Sequence, residues 1–202
     1  LGPTLHTTEE LGLLRALPGL RVLTPSTPSV AAAAVRYAYA TKGPVYIRLG
    51  MGGEPEFYPE NNPSSLEEIS ELRTGTDAAV FTSGPVLAEV WKAAEWLNDH
   101  GLSVSVFDVC SLSPFDAGAV LQAAGQFGAL ISVEEHSVTG GLGSAIAETL
   151  SEAGCPVRLL RIGLEHRFAS GYGTIDQLRA QNGLDGASIA QKIKHFLEVH
   201  PS

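Results

Sequence analysis

The sequence predicts an α/β protein in which a doubly wound, mainly parallel sheet follows a partial α/β unit. From Asp77 onward, apolar strands alternate with amphipathic helices across short connections, which favours right-handed crossovers between parallel strands. Residues 1–50 hold only two predicted strands and two predicted helices, too few to close a doubly wound core. Residues 51–76 are rich in Gly, Pro, Asn and Glu, as expected of a linker. We therefore divide the chain into residues 1–50, a linker at 51–76 and a second domain at 77–202.

In the first part, local signals mark where each element begins and ends. Thr7 followed by Glu10 is a capping-box pattern, which predicts a helix that begins near Thr8 and ends at Pro18. Its leucines at positions 11, 13, 14 and 17 lie mostly on one face. Thr27 and Pro28 predict the cap and first residue of the next helix. The predicted elements are a helix from Thr8, a strand at 20–23, a helix at 28–40 and a strand at 45–49.

The second part has the more regular pattern. A short acidic segment at residues 66–72, still within the linker, is compatible with a turn of helix or a strand. The strands after it are predicted at 78–82, 103–109, 129–133 and 157–162. The helices are predicted at 86–100, 114–125, 144–153, 175–181 and 187–199.

Charge and cysteine usage exclude several classes of function. The net charge of −9 argues against nucleic acid or an anionic membrane surface as a partner. The sequence has no apolar run of about eighteen residues that would cross a membrane, and its first residues lack a secretory signal pattern. Cys110 and Cys155 have no metal-type spacing and are interpreted as buried structural thiols. The expected location is the cytoplasm.

The sharpest local pattern is a predicted strand that ends in two acids and a histidine, followed by glycines and a helix. It comprises Glu134, Glu135 and His136, followed by TGGLGS at residues 139–144. Such a helix start can bind an anion through free backbone N–H groups. We favour the alternative that the glycines let the helix pack closely on the sheet. For His136 and Glu135 we favour a satisfied surface or interface pair.

Several stretches, in the same order along the chain, resemble one enzyme family. GPTLHTTEELGLLRALPGLRVLTPST at residues 2–27 resembles the pyrimidine-binding domain of transketolases, most of all the separately encoded C-terminal subunit of split transketolases. FDVCSLSPFD at 107–116, VEEH at 133–136 with GGLG at 140–143, and FASG at 168–171 with GLD at 183–185 resemble the C-terminal domain of the same family. The resemblance spans nearly all 202 residues.

The resemblance implies a thiamine-diphosphate enzyme that transfers two-carbon ketol units, with Mg²⁺ holding the diphosphate. In that family the glutamate that activates the aminopyrimidine precedes the position of Leu1, and the diphosphate and metal sites belong to another domain. No catalytic, cofactor-binding or metal-binding residue is therefore assigned here. The chain alone is expected to be inactive without an N-terminal transketolase section or subunit. It is expected to work in a homodimer or hetero-oligomer on a small-molecule substrate.

The resemblance also predicts substrate-binding residues, with departures from the family pattern. Thr4, His6 and Arg48 are the candidates, although Arg48 would need a different strand register to replace the usual phosphate-binding arginine. That arginine, and the aspartate and histidine of the usual D-G-P-T-H loop, are replaced here by Met51, Leu1 and Leu5. We therefore expect a substrate that is less polar or lacks phosphate.

Three alternatives remain open from the sequence. Two are enzymatic: a 1-deoxyxylulose-5-phosphate synthase-like protein and the beta subunit of a 2-oxo-acid dehydrogenase, both of which share these domains. The third is a non-catalytic dimerisation or docking module that has lost its site. The third alternative is favoured by Leu1, Leu5 and Met51. The rest of the family's sequence pattern, which this chain matches, argues against it.

Overall fold

The computed structural model describes residues 7–58, 65–165 and 172–199. The helices are α1 (Glu10–Leu14), α2 (Pro28–Ala40), α3 (Leu87–Asp99), α4 (Ala117–Ala124), α5 (Leu142–Glu152), α6 (Ile175–Gln181) and α7 (Gly186–Val199). The strands are β1 (Arg21–Leu23), β2 (Val45–Ile47), β3 (Ser70–Arg73), β4 (Ala78–Ser83), β5 (Val104–Asp108), β6 (Ser111–Ser113), β7 (Ala129–Ser137) and β8 (Arg158–Leu164).

A five-stranded sheet forms the centre of the part of the chain that the structure describes. Its order is β3-β5-β4-β7-β8, with β3 antiparallel at one edge and the other strands parallel. From β4 the chain crosses through α3 to β5, which lies next to β4 on one side in the sheet. From β5 it returns through α4 to β7, which lies next to β4 on the other side. This change of direction places helices on both faces and confirms the predicted doubly wound fold.

Strand residues alternate between two apolar layers. Val80, Val106 and Ile131 face α3 and α7, whereas Phe81 and Leu130 face α4 and α5. Every residue of β4 and every residue of β7 except Glu135 is buried, as expected for parallel strands that are covered on both faces.

The first part of the chain is joined to the second through a small sheet. Among the described residues this sheet has three strands in the order β2-β1-β6, with β2 parallel and β6 antiparallel to β1. Residues 111–113 lie between the predicted strand at 103–109 and the predicted helix at 114–125, and no strand was predicted there because three residues with two serines give no periodic signal. β3 lies within the segment predicted to be a linker, where it pairs with β5 as an edge strand.

The start of α1 differs from the prediction. The helix begins at Glu10, and the side chain of its N-cap residue Glu9 accepts none of the first N–H groups. The Thr7 hydroxyl oxygen accepts the Glu9 N–H and not that of Glu10, and Glu9 is the N-cap residue, so the predicted capping box is wrong. The predicted apolar face is only partly buried, because Leu11 is in the core while Leu13 and Leu17 are 71% and 51% exposed. No helix in the described ranges is long and apolar enough to cross a membrane.

Candidate functional site

The described part of the predicted substrate region begins at Thr7, after the predicted substrate residues Thr4 and His6. Those two residues lie outside the described residues. From Thr8 onward the backbone is attached to the end of β7. The Ser137 N–H donates to the Thr8 carbonyl oxygen at 2.8 Å, and the Gly12 N–H donates to His136 Nε2 at 3.2 Å.

His136 acts as a neutral hydrogen-bond acceptor toward α1. Because Nε2 accepts the Gly12 N–H, the ring proton is assigned to Nδ1, which donates to the Ser137 carbonyl oxygen at 2.7 Å. Glu134 Oε2 lies 3.6 Å from the same Nδ1. The side chain is fully buried. The imidazole therefore bridges the second domain and the first part of the chain.

Glu134 occupies the N-terminus of α5. Its two carboxylate oxygens accept the N–H groups of Leu142 and Gly143 at 2.8 and 2.9 Å. Burial raises the pKa of Glu134, and these two N–H donors act in the opposite direction. The helix start that the sequence offered as an anion site is thus filled by the protein's own carboxylate.

The glycines of this motif allow close approach of backbone to backbone and to side chains. A Cβ at Gly141 would lie 1.9 Å from Glu134 Oε2. A Cβ at Gly12 would lie 3.1 Å from the Gly140 backbone, so α1 packs against the turn before α5. This geometry agrees with the close-packing interpretation of the glycine motif.

The predicted pairing of Glu135 with His136 is wrong. Successive strand residues point to opposite faces, so the two side chains cannot share a partner surface. Glu135 instead forms an ion pair with Arg179 of α6, and Arg179 Nη1 also lies 3.8 Å from a carboxylate oxygen of Glu89.

Arg48, the one predicted substrate residue that the structure describes, lies directly after β2. Its Nε is 3.0 Å from Glu10 Oε1, and its Nη2 donates to the Glu135 carbonyl oxygen at 2.8 Å. The side chain is 22% exposed. Glu10 Oε2 is buried and has no hydrogen-bond partner among the described residues. The substrate role of Arg48 remains a prediction, while its contacts join the first part to β7. Met51, three residues later, is 69% exposed.

A buried carboxyl that the sequence analysis did not select lies at the carboxyl end of β5. Asp108 Oδ2 accepts hydrogen bonds from Ser26 Oγ at 2.5 Å and from Tyr58 OH at 2.7 Å. Its Oδ1 has no partner within the described ranges. Burial raises the pKa of Asp108 to about 6. An aspartate at the end of an apolar strand was the available signal, but its partners come from segments that are 50 and 82 residues away in sequence.

Neither the cysteines nor the other potential metal ligands among the described residues indicate a second functional site. Cys110 is buried, and burial raises the pKa of its thiol far above the ordinary range. Among the described residues, no group of three His, Cys, Asp or Glu side chains could hold a metal ion.

Comparison with known proteins adds family matches to this geometry. The model of the transketolase pyrimidine-binding domain matches residues 1–52, and that of the transketolase C-terminal domain matches residues 67–189. The chain is 37% identical over 98% of its length to the 6-deoxy-6-sulfo-D-fructose transketolase subunit SqwH of Clostridium sp. (strain MSTE9), of which it covers 61%.

Further similarities come from a second relative and from a solved structure. The chain is 32% identical over 98% of its length to one of the apulose-4-phosphate transketolase subunits of Phocaeicola vulgatus, and covers 63% of that protein. A solved structure described as split gene transketolase, inactive beta4 tetramer, superposes with a TM-score of 0.88 at 34% identity. That superposition covers 96% of this chain and 63% of the other. The chain thus spans about three fifths of the length of these relatives.

Proposed function

This chain belongs to the transketolase family, and we propose that it is the C-terminal section of an enzyme that transfers a two-carbon ketol unit between sugars. The observation that carries the proposal is the match to split transketolase subunits over 98% of the chain. The contacts of Gly12, Arg48 and His136 support it, because they hold the predicted substrate region and the C-terminal domain together.

The chain would contribute substrate contacts, and the catalytic centre would come from elsewhere. When bound, thiamine diphosphate supplies the electron sink that such a transfer needs. We assign the sugar contacts to Thr4, His6 and Arg48. The cofactor, its Mg²⁺ and the glutamate that activates it would be held by an N-terminal section. The chain by itself would then be inactive.

An N-terminal partner would also cover apolar surface of the first part. Of the ten large apolar side chains that the described residues expose, six lie in the first part or directly after it. They are Leu13, Leu17, Val35, Tyr39, Leu49 and Met51. We propose that the N-terminal section packs on this part within a dimer or hetero-oligomer. A cytoplasmic location fits the two cysteines, both unpaired in the described structure.

The substrate would be a ketose whose far end lacks a phosphate. Met51 stands where the family places its phosphate-binding arginine, and a thioether does not bind a phosphate dianion. The relative SqwH is named for a sugar that carries a sulfonate at that end, and other relatives for a sugar phosphate. We propose that Leu1, Leu5 and Met51 together disfavour the phosphorylated substrates.

The test is a two-carbon transfer assay on the complete enzyme, which contains this chain and the N-terminal section. Xylulose 5-phosphate, 6-deoxy-6-sulfofructose and unphosphorylated xylulose would be compared as donors, with and without thiamine diphosphate. We expect transfer from a donor that lacks phosphate, and a higher kcat/KM for xylulose 5-phosphate in M51R. V199R, an exposed change at the end of α7 and outside the surface assigned to the N-terminal section, serves as a charge-matched control.

Other results would replace the proposal. Equal or better use of xylulose 5-phosphate by the unaltered enzyme would contradict the assignment of a donor without phosphate. Condensation of pyruvate with glyceraldehyde 3-phosphate would indicate the 1-deoxyxylulose-5-phosphate synthase alternative, which has a relative 34% identical over 96% of this chain. A complete enzyme that transfers from no donor would favour the non-catalytic alternative.

A further inference from the structure

Glu54 folds back over the loop that carries Met51. Its Oε1 accepts the Gly52 N–H at 3.3 Å. A Cβ on Gly50 would lie 2.0 Å from the same oxygen, so the carboxylate occupies the space beside the Gly50 backbone. Because the Gly52 nitrogen is bonded to the Met51 carbonyl carbon, Oε1 lies within about 5 Å of the Met51 backbone. A carboxylate thus accompanies the residue that replaces the phosphate-binding arginine of the family.

Three glycines allow the loop to adopt this shape. Gly52 and Gly53 have φ values of 96° and 88°, which residues with a Cβ rarely adopt, and they turn the chain back so that Glu54 reaches the Gly52 N–H. A Cβ on Gly50 would also lie 2.7 Å from Pro85 Cγ, so the loop packs directly against the segment before α3. The position of the carboxylate is therefore determined by the backbone of the loop.

No cation compensates the charge of Glu54 in the part of the chain that the structure describes. None of the ion pairs between described residues includes it. Residues 49–58 contain two glutamates and no Lys or Arg. Arg48, directly before them, is paired with Glu10 at 3.0 Å. An anion brought to Met51 would therefore meet an unpaired negative charge, and at about 5 Å this repulsion is sufficient to weaken its binding about tenfold.

We propose that Glu54 is a specificity-determining residue that excludes anionic donors, so that the substrate is a ketose whose far end is an uncharged hydroxyl group. The inference rests on the proposed function, because only that function brings a sugar to Met51. A carboxylate oxygen accepts a hydrogen bond from a hydroxyl group, whereas a phosphate dianion and a sulfonate offer it no proton. The missing arginine removes an attraction for phosphate, and Glu54 adds a repulsion that extends to the sulfonate.

The test uses the complete enzyme and replaces Glu54 by Gln. In E54Q the amide oxygen can still accept the Gly52 N–H, so the substitution removes the charge and keeps the acceptor. The kcat/KM values are measured for xylulose, xylulose 5-phosphate and 6-deoxy-6-sulfofructose. The unaltered enzyme should prefer xylulose to both anions, and we expect each preference ratio to fall about fivefold to tenfold in E54Q. E152Q, an exposed change at the end of α5, removes the same charge elsewhere and should leave both ratios unchanged.

Ionic strength separates repulsion from a structural role of Glu54. In the unaltered enzyme, added KCl should lower the preference for xylulose, because salt screens the repulsion between charges. In E54Q the same salt should have little further effect. If Glu54 only held the loop through Gly52, E54A would impair transfer from all three donors alike, E54Q would not change the preference, and salt would act equally on both enzymes. That set of results would overturn the inference.

A double variant tests whether Glu54 acts at the position of Met51. In M51R the new guanidinium lies beside the Glu54 carboxylate, which partly neutralises it. The gain in kcat/KM for xylulose 5-phosphate in M51R/E54Q should therefore exceed the product of the gains in the two single variants. Gains that simply multiply would show that the two positions do not interact, and would overturn the inference.

Failure of this inference can be distinguished from failure of the proposed function. A complete enzyme that transfers two-carbon units, but uses either anionic donor as well as xylulose, would overturn the inference alone. Two-carbon transfer with unchanged preference ratios in E54Q would do the same. A complete enzyme that transfers from no donor would contradict the proposed function, and the inference would fall with it.

Discussion

At the scale of single residues, the most informative side chain is the buried carboxyl of Asp108. It is almost fully buried, with Ser26 and Tyr58 as donors to one oxygen only. Burial in this setting disfavours the charged form and raises the pKa of Asp108 to about 6. In the unfolded chain the same carboxyl returns to an ordinary value near 3.8. The folded state therefore binds more protons than the unfolded state between these two values.

The sign of the resulting pH dependence follows from proton binding. The stabilisation that protonated Asp108 provides is complete below about pH 4 and is lost as the pH rises to about 6. We expect the free energy of unfolding of D108N, relative to the unaltered chain, to rise by up to about 3 kcal/mol over this range. Urea denaturation of both proteins at several pH values between about 4 and 8 measures the difference. A difference that does not change with pH would show that Asp108 titrates normally.

Arg48 has two roles that variants can separate: an ion pair with Glu10 and a predicted contact with the substrate sugar. Removing the guanidinium in R48M leaves Glu10 in a mostly buried position without its cation, and we expect a loss of about 3 kcal/mol in unfolding free energy. The double variant E10Q/R48M removes the unpaired charge and should recover most of that loss.

The double variant then tests substrate binding without a stability defect. If Arg48 contacts the sugar as the family resemblance predicts, the complete enzyme with E10Q/R48M should still show a raised KM for its ketose. A normal KM in this stable variant would mean that Arg48 only joins β2 to α1 and β7.

At the scale of elements, Gly12 illustrates how tertiary packing overrides helix propensity. Ala normally stabilises a helix relative to Gly by about 1 kcal/mol. In G12A, however, the added Cβ meets backbone atoms of Gly140 at 3.1 Å, and neither backbone can give way cheaply. We expect G12A to lower the free energy of unfolding by about 1–3 kcal/mol.

Gly118 near the start of α4 provides the matched control. A Cβ there would meet only Asp116 Oδ1, at an ordinary 3.4 Å. G118A should therefore be neutral or stabilising by up to about 1 kcal/mol. Thermal and urea denaturation of the two variants gives the comparison. A stabilising G12A would mean that α1 can move away from the turn at Gly140.

The elements that could be predicted from sequence are those with a local signal. The alternation of period-2 and period-3.6 segments after Asp77 predicted the doubly wound sheet, and Thr27 caps α2 as its pattern indicated, by accepting the Val30 N–H. β6 could not be predicted, because its three residues acquire strand geometry only by pairing with β1. The capping box at Thr7 failed because the helix begins at Glu10, which places Thr7 two residues before the N-cap residue Glu9.

The candidate site was predictable only in part, for a related reason. The motif around Glu134 and His136 was visible as a pattern, but its partners are the backbones of Leu142, Gly143 and Gly12, and backbone groups leave no mark in a sequence. Asp108 was passed over because Ser26 and Tyr58 belong to distant segments. The sequence therefore indicated where ionisable side chains lie, whereas their hydrogen-bond partners, which are distant in sequence, could be found only in the structure.

At the scale of the whole molecule, the first part and the second domain are joined at several independent places. β1 pairs with β6, Gly12 with His136, Arg48 with the Glu135 carbonyl, and Ser26 with Asp108. The two family models match residues 1–52 and 67–189, so both matches extend into the segment predicted as a linker. The contacts, however, interleave the two parts so that neither can leave without exposing buried polar groups of the other.

We therefore expect the chain to unfold in one cooperative transition. Trp91 and Trp96 both lie in α3, so their fluorescence reports the second domain, while hydrogen exchange of the peptide at residues 20–24 reports β1. The two probes should give the same free energy of unfolding, and D108N should shift both equally. If the β1 peptide exchanged through an opening that costs much less free energy than the tryptophan transition, the first part would be a separate unit. The joining contacts would then be too weak to couple the stability of the first part to that of the second domain.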